Sequence, residues 1–156
     1  MQLKFKKVHS KAKLPTYGSP GAACFDFYAV IDPNPIFDDM DGIKSIKVGV
    51  PDTFRTGLQV EVPEGHVLLI FSRSGYGFVH NVRLTNCVGV IDSDYRGEIM
   101  VKLTKDLDVV SQTYVVSQGE RIAQGMLVPI PRCELVEVRE LGNTVRGENG
   151  FGSTGK

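Results

Sequence analysis

An all-β fold, of the jelly-roll barrel or sandwich type, is what this sequence predicts, and three observations predict it. Helical periodicity is scarce. Short segments with strand patterning, either alternating or continuously apolar, recur along the chain. Eight prolines and seventeen glycines punctuate them; many short strands between frequent turns belong to barrels and sandwiches. The 156 residues fit one domain, large enough to bury most of its apolar surface. We assign residues 1–145 to that domain and 146–156 to a flexible, glycine-rich C-terminal arm.

Leu58-Gln59-Val60-Glu61-Val62 alternates apolar and polar residues, and Pro63-Glu64-Gly65 turns the chain after it. His66 to Phe71 is a continuous apolar run, suited to a strand buried on both faces. Gly75 to Asn81 fits one short helix. Val88 to Lys102 reads as a β-hairpin: apolar, β-branched arms flank a polar tip from Asp92 to Gly97. Thr113 to Val116, Ile122 to Val128 and Glu134 to Val138 are further short strands. Residues 32–54 form the least regular stretch, an irregular insert read as a solvated surface excursion. Its Asp38, Asp39 and Asp41 lack the register and closing Glu of a calcium-binding loop.

Lys plus Arg and Asp plus Glu both number 18, so the net charge is zero. That balance argues against a grip on polymeric nucleic acid, which needs a basic face, and leaves room for a single nucleotide in a pocket. The basic N-terminus, Met1 to Lys13, has no long apolar core, and we expect neither a membrane span nor a signal peptide. Cys24, Cys87 and Cys133 are far apart and odd in number, which fits reduced thiols in a cytoplasmic protein. With His9, His66 and His80 equally scattered, a metal held by Cys and His is not expected.

Four segments carry chemistry. The hairpin tip sets Asp92, Asp94, Tyr95 and Arg96 side by side, an acid, a ring and a cation where a turn alone needs only Asn-Gly or Asp-Gly. Asp and Ser are ordinary turn residues as well, so the tip has a bland reading beside the functional one. Arg73-Ser74-Gly75, just past an apolar run, offers a cation, a hydroxyl and a free backbone N–H: a small anion site. Gly119 to Gln124 opens another strand; Gln124 is both donor and acceptor, while Glu120 and Arg121 read as a surface ion pair of little worth. In the last segment, Gly150 to Lys156 mimics part of a P-loop but lacks the following Ser or Thr and helix. Its glycines, hydroxyls, Arg146 and Lys156 still suit a strap folding over polyphosphate, and Phe151 offers a face for stacking on a base.

Taken together, these segments resemble the deoxyuridine triphosphatases (dUTPases) of the all-β, trimeric kind. Five motifs stand in order: Gly21 to Ala29, Arg73 to Gly77, Gly89 to Gly97, Gly119 to Gln124, and Arg146 to Gly155. The resemblance implies a jelly-roll subunit, a homotrimer with active sites shared between subunits, and hydrolysis of dUTP to dUMP and pyrophosphate with Mg²⁺. Such an activity limits uracil incorporation into DNA and supplies dUMP for dTMP synthesis. By position, Asp92 would be the general base for the attacking water and Tyr95 would lie against the deoxyribose. Asn86 and the backbone of Gly89, Val90, Ile91 and Met100 would read the uracil. Arg73, Ser74, Gly75 and Gln124 would hold phosphate oxygens. Arg146, Gly152, Ser153 and Thr154 would close over the triphosphate, with Phe151 on the base. Asp26 would touch the metal through water.

The chain departs from the family pattern at Ser72, where many members have Pro, at Asn149, where many have Gly, and at Cys24-Phe25. The segments Asp32 to Phe54 and Lys105 to Ser117 look longer than in compact members and leave room for a regulatory protein partner. Two other classes fit the same sequence: a dCTP deaminase of the same fold, and a protein that uses the nucleotide as a signal.

Overall fold

The computed structural model describes residues 1–32, 42–107 and 111–150. Its elements are β1 (Lys4–Lys7), β2 (Thr16–Tyr17), β3 (Phe25–Tyr28), β4 (Ile43–Lys47), β5 (Asp52–Glu61), β6 (His66–Phe71), α1 (Ser74–His80), β7 (Val82–Leu84), β8 (Val88–Ile91), β9 (Glu98–Lys105), β10 (Thr113–Ser117) and β11 (Arg121–Pro129). The all-β expectation holds. A four-stranded sheet runs β1-β5-β9-β7, a five-stranded sheet runs β2-β3-β11-β6-β8, and β10 pairs with β4 as a separate ribbon. Every named strand pair is antiparallel.

Alternation along the strands sends one set of side chains inward. Phe27, Leu68 and Ile122 from the five-stranded sheet meet Leu58, Ile99 and Leu103 from the four-stranded sheet in one core. Within the five-stranded sheet, β11 has a glycine where the rings of its neighbour β3 crowd over it. A Cβ on Gly125 would lie 2.7 Å from Phe27 Cε2 and 2.8 Å from Phe25 Cε2.

The strand at His66–Phe71 has the bounds the sequence predicts, and α1 is displaced by one residue from the predicted helix. Asn81 ends α1 in the left-handed conformation, φ 53°, which Asn tolerates better than most residues. Three expectations need correction. The segment read as an irregular excursion contributes β4 and the start of β5, and it buries Ile46 and Phe54. Its partner in the ribbon is β10, so the two segments read as insertions pair with each other. The predicted hairpin has a turn, with the Tyr95 N–H bonded to the Asp92 carbonyl at 3.2 Å, but its arms do not pair. β8 joins β6 in one sheet and β9 joins β5 and β7 in the other. Finally, Glu134 to Val138 forms no strand within this chain; its side chains are exposed, Leu135 by 94%. Among the described residues no strand pairs with it, so its backbone has no ladder partner there.

A candidate nucleotide site in two halves

The parting of β8 from β9 opens a cleft of about 300 Å³. Gly89, Val90 and Ile91 line one wall, Met100, Val101 and Lys102 the other, with Asn86 at the rim and Ile70 and Leu84 below. β8 is the outer strand of its sheet, so one row of its backbone donors and acceptors faces outward without a ladder partner. A flat heterocycle seated between the arms would meet apolar side chains on its faces and main-chain groups at its edge. The structure thus brings together Asn86, Gly89, Val90, Ile91 and Met100 as the sequence predicts.

On the turn that joins β8 to β9 stand Asp92 and Tyr95. Asp92 is exposed, and its carboxylate makes no hydrogen bond or ion pair among the described residues. A second cavity, about 540 Å³, lies on its far side between Asp92, Asp94, His66 and Arg132. Tyr95 folds back so that its phenol donates to the Glu98 carbonyl at 3.0 Å. Its ring covers Gly97 so closely that any side chain there would collide with it. Glu98 is itself fixed: Arg55 donates from Nε at 3.1 Å and from Nη2 at 2.9 Å to Oε2, and the Gly57 N–H donates to Oε1 at 2.8 Å. The ring therefore hangs from a braced strand end.

The other half lies where β6 runs into α1. The register sets Gln124 of β11 opposite both Asp26 of β3 and Phe71 of β6. Gln124 donates to the Ser72 carbonyl at 3.0 Å. Asp26 accepts from Arg73 Nε at 3.1 Å and from Arg121 Nη1 at 3.2 Å, and Arg73 Nη1 donates to the Arg121 carbonyl at 3.1 Å. Ser74 and Gly75 are exposed beside this pair of guanidinium groups. The result is a cationic corner with a hydroxyl and an amide at its rim, suited to phosphate oxygens. Ser72 has a local reason to be Ser: its hydroxyl accepts the Leu84 N–H at 2.9 Å, tying β6 to β7.

Sequence reasoning misplaced two members of this corner. Arg121 and Glu120 are not an ion pair with each other. Arg121 pairs with Asp26, and Glu120 accepts hydrogen bonds from the phenols of Tyr76 at 2.6 Å and Tyr114 at 2.8 Å. Spacing in a line of sequence could not show which way two adjacent side chains on a strand point, though the alternation of the pleat puts neighbours on opposite faces.

Asp92 and Arg73 are far apart in one protomer. Ile91 sits opposite Leu68 and Val88 opposite Phe71, so Asp92 lies level with the first residues of β6 and Arg73 past its other end. At about 3.3 Å per residue the separation is on the order of 15–20 Å. Arg146 does not join either half; its Nε donates to Asn149 O at 3.0 Å within the exposed arm. Phe151, Gly152, Ser153 and Thr154 lie outside the described residues, as do Asp38, Asp39 and Asp41.

No group of three or more His, Cys, Asp or Glu side chains that could hold a metal occurs among the described residues. Asp26, the expected metal contact, has both carboxylate oxygens bonded to arginines, which does not fit a directly bound resident cation. Cys24, next to Asp26 in space, is no thiolate nucleophile: burial first, and the Asp26 charge second, push its thiol up. No helix among the described residues is long and apolar enough to cross a membrane.

Comparison with known proteins agrees with this chemistry. The family model for dUTPase matches residues 10–155. A deoxyuridine 5'-triphosphate nucleotidohydrolase of Nautilia profundicola is 39% identical over 156 residues, covering 100% of both chains. Among solved structures, a mutant of the Staphylococcus bacteriophage 80alpha dUTPase with dUpNHpp superposes with a TM-score of 0.84 over 99% of each chain, at 24% identity, a likeness of fold. The dUTPase of phage phi11 of S. aureus, with a TM-score of 0.73 at 22% identity over 90% of this chain and 98% of that one, coordinates a structural Mg(II) ion. With the family model spanning nearly its whole length and a full-length relative sharing well over a third of its residues, this chain belongs to the dUTPase family, the enzymes that hydrolyse deoxyuridine triphosphate.

Proposed function

We propose that Asp92 is the general base of dUTP hydrolysis, and that the complete site forms only when copies of this chain assemble, as a homotrimer. Uracil enters the cleft between β8 and β9. It lacks thymine's methyl, so close-set arms reject thymine sterically; cytosine's amino group would meet a backbone donor and leave it unpaired. Tyr95 lies against the deoxyribose, where a 2′-hydroxyl has no room. Asp92, whose carboxylate has no partner among the described residues, takes the proton of the attacking water. Hydrolysis of a phosphoanhydride asks little more of the protein than alignment and charge neutralisation.

One observation carries the shared site: within a protomer, Asp92 and Arg73 stand at opposite ends of β6. A nucleotide with its base in the cleft and its phosphates past Asp92 points away from its own Arg73. The Arg73, Ser74, Gly75 and Gln124 that hold the phosphates then come from a second copy. Arg146, Phe151, Gly152, Ser153 and Thr154, carried by the arm, close over base and triphosphate from a neighbour. The exposed Leu135, Val136 and Val138 lead into that arm and favour a docked path across another subunit. Magnesium enters as the chelate of the triphosphate, where it neutralises phosphate charge; Asp26 reaches it only through water. The enzyme works in the cytoplasm, where it keeps uracil out of DNA and supplies dUMP. The β4–β10 ribbon is the surface left for a regulatory protein.

Pyrophosphate release measured across dUTP, dTTP, dCTP and UTP tests the substrate, and dUTP alone should turn over well. Asp92→Asn keeps shape but not basicity; turnover should fall by roughly two to four orders of magnitude, with binding of a non-hydrolysable dUTP analogue retained. Turnover near the wild-type rate in this variant would move the base elsewhere.

A further inference from the structure

The carboxylate of Glu120 has three neighbours to hold in place. Oε1 accepts from the phenols of Tyr76 and Tyr114, and Oε2 accepts the Ser117 N–H at 2.9 Å. Its main-chain carbonyl accepts the Ala29 N–H at 2.8 Å, which seats it against β3. Tyr76 and Tyr114 meet edge to face, with ring centroids 5.1 Å apart, and His80 packs on Tyr114 at 4.5 Å.

Tyr76 is the one buried residue of α1; Phe78 and Val79 on the same helix are open to solvent. Seven residues cannot hold a helix by themselves. The one side chain that the helix buries therefore does much of its anchoring, and that side chain ends on Glu120. The first residues of α1 are Ser74 and Gly75, and Arg73 stands at its N-cap. The Arg73 guanidinium lies 5.8 Å over the Tyr76 ring, and its Nη1 bonds to the carbonyl of Arg121, the residue after Glu120. Tyr114 belongs to β10, so the same carboxylate also grips the β4–β10 ribbon.

We propose that Glu120 is a positioning residue for the phosphate corner: through Tyr76 it sets where Arg73, Ser74 and Gly75 stand, and through Tyr114 it joins that corner to the β4–β10 ribbon. Glu120 touches no substrate. Its effect falls on the polyphosphate and not on the base, because Glu120, Tyr76 and Tyr114 are not among the residues lining the β8–β9 cleft. The ribbon, assembled from two segments remote in sequence, becomes a lever on phosphate affinity. This inference rests on the reading of Arg73, Ser74 and Gly75 as phosphate contacts.

The test compares wild type with Tyr76→Phe, Tyr114→Phe and Glu120→Gln in the full chain. Inorganic tripolyphosphate and deoxyuridine serve as separate competitive probes of the two halves. In Tyr76→Phe and Glu120→Gln, the KM for dUTP and the inhibition constant for tripolyphosphate should rise together by roughly tenfold, about the worth of one hydrogen bond to a charged group. Affinity for deoxyuridine should stay as in wild type, and kcat should move less than KM. Tyr114→Phe keeps the ring and its packing, so it folds, and it should give a smaller rise of the same kind. Combined with Glu120→Gln it should add nothing, since both act through one carboxylate. A lowered melting temperature with unchanged tripolyphosphate affinity, or equal losses for deoxyuridine and tripolyphosphate, overturns the proposal. A wild-type protein that binds tripolyphosphate but does not release pyrophosphate from dUTP would instead sink the assigned substrate, and the tripolyphosphate series would still decide the role of Glu120.

Discussion

Gly97→Ala isolates the placement of one ring. The φ of Gly97 is not in the left-handed region, so alanine imposes no backbone strain there. The added Cβ would sit 2.5 Å from Tyr95 Cζ and 2.8 Å from Cε2, whereas carbon atoms in contact prefer about 3.5–4.0 Å. The ring must retreat by about 1 Å. That lengthens the 3.0 Å bond from the Tyr95 phenol to the Glu98 carbonyl beyond hydrogen-bond range. Tyr95 is 40% exposed, so the stability cost stays near the low end of a lost hydrogen bond, roughly 0.5 kcal/mol. The melting temperature should move by no more than about 2 °C. Sugar selection should suffer far more, since a displaced ring no longer closes the space a 2′-hydroxyl would occupy. The ratio of kcat/KM for dUTP over UTP should fall by roughly tenfold or more. Steady-state pyrophosphate release with both nucleotides measures it. A ratio equal to wild type in a folded Gly97→Ala protein would refute the claim that this seat for the ring sets sugar choice.

Gly125→Ala, by contrast, should act on stability alone: its Cβ would meet the buried rings of Phe25 and Phe27, an overpacking cost of roughly 1–3 kcal/mol readable in a denaturant titration. Tyr114 is pushed up to about 12 from its ordinary value of 10, by burial first and then by its bond to Glu120. The fold thus favours the neutral phenol, and that contribution is whole below pH 10 and lost as pH rises through about 12. Tyrosinate absorbance followed with unfolding should lose its component near pH 12 in Tyr114→Phe. For the shared site, Asp92→Asn at full length and a wild-type chain truncated after Val145 should each be inactive, yet regain pyrophosphate release when unfolded and refolded together. Mixed assemblies that form without regaining activity would place the arm over its own subunit.

The sequence made some elements legible because their signal is local. His66 to Phe71 is apolar throughout and became a strand with the same bounds; Leu58 to Val62 alternates, and its apolar members Leu58, Val60 and Val62 are the buried ones. What failed was partnership. Periodicity says which face of a strand is apolar, not which strand lies beside it. So β8 and β9, adjacent in sequence and joined by a real turn, were read as paired although they part into two sheets. Ile43 to Lys47 passed as loop because its short pattern depends on β10, far along the chain, to bury Ile46. The site followed the same rule. Residues clustered in sequence, such as Asp92 to Gly97, were found; the ties across strands, Arg121 to Asp26 and Glu120 to Tyr76, were not.

The position of β6 is what supports the proposed sharing of the site between chains. Both half-sites are rooted in that strand, the cleft through its pairing with β8 and the cationic corner through its junction with α1. β6 lies inside its sheet between β11 and β8, and it buries Leu68 and Ile70 in the core. It can neither bend nor slide to bring its two ends together without breaking that packing. On the proposed reading, Asp92 and Arg73 meet one nucleotide only when one of them comes from another copy. The arm supplies a reason for copies to meet. Leu135, Val136, Val138, Leu141 and Val145 are largely open to solvent, and side chains of this kind gain roughly 1.5–3 kcal/mol each when fully buried. A segment whose apolar residues find no cover, and whose backbone finds no strand to pair with, among the described residues would be stabilised by lying on a neighbour. On the proposed reading, that contact would carry Arg146 and the residues beyond it toward a subunit other than its own.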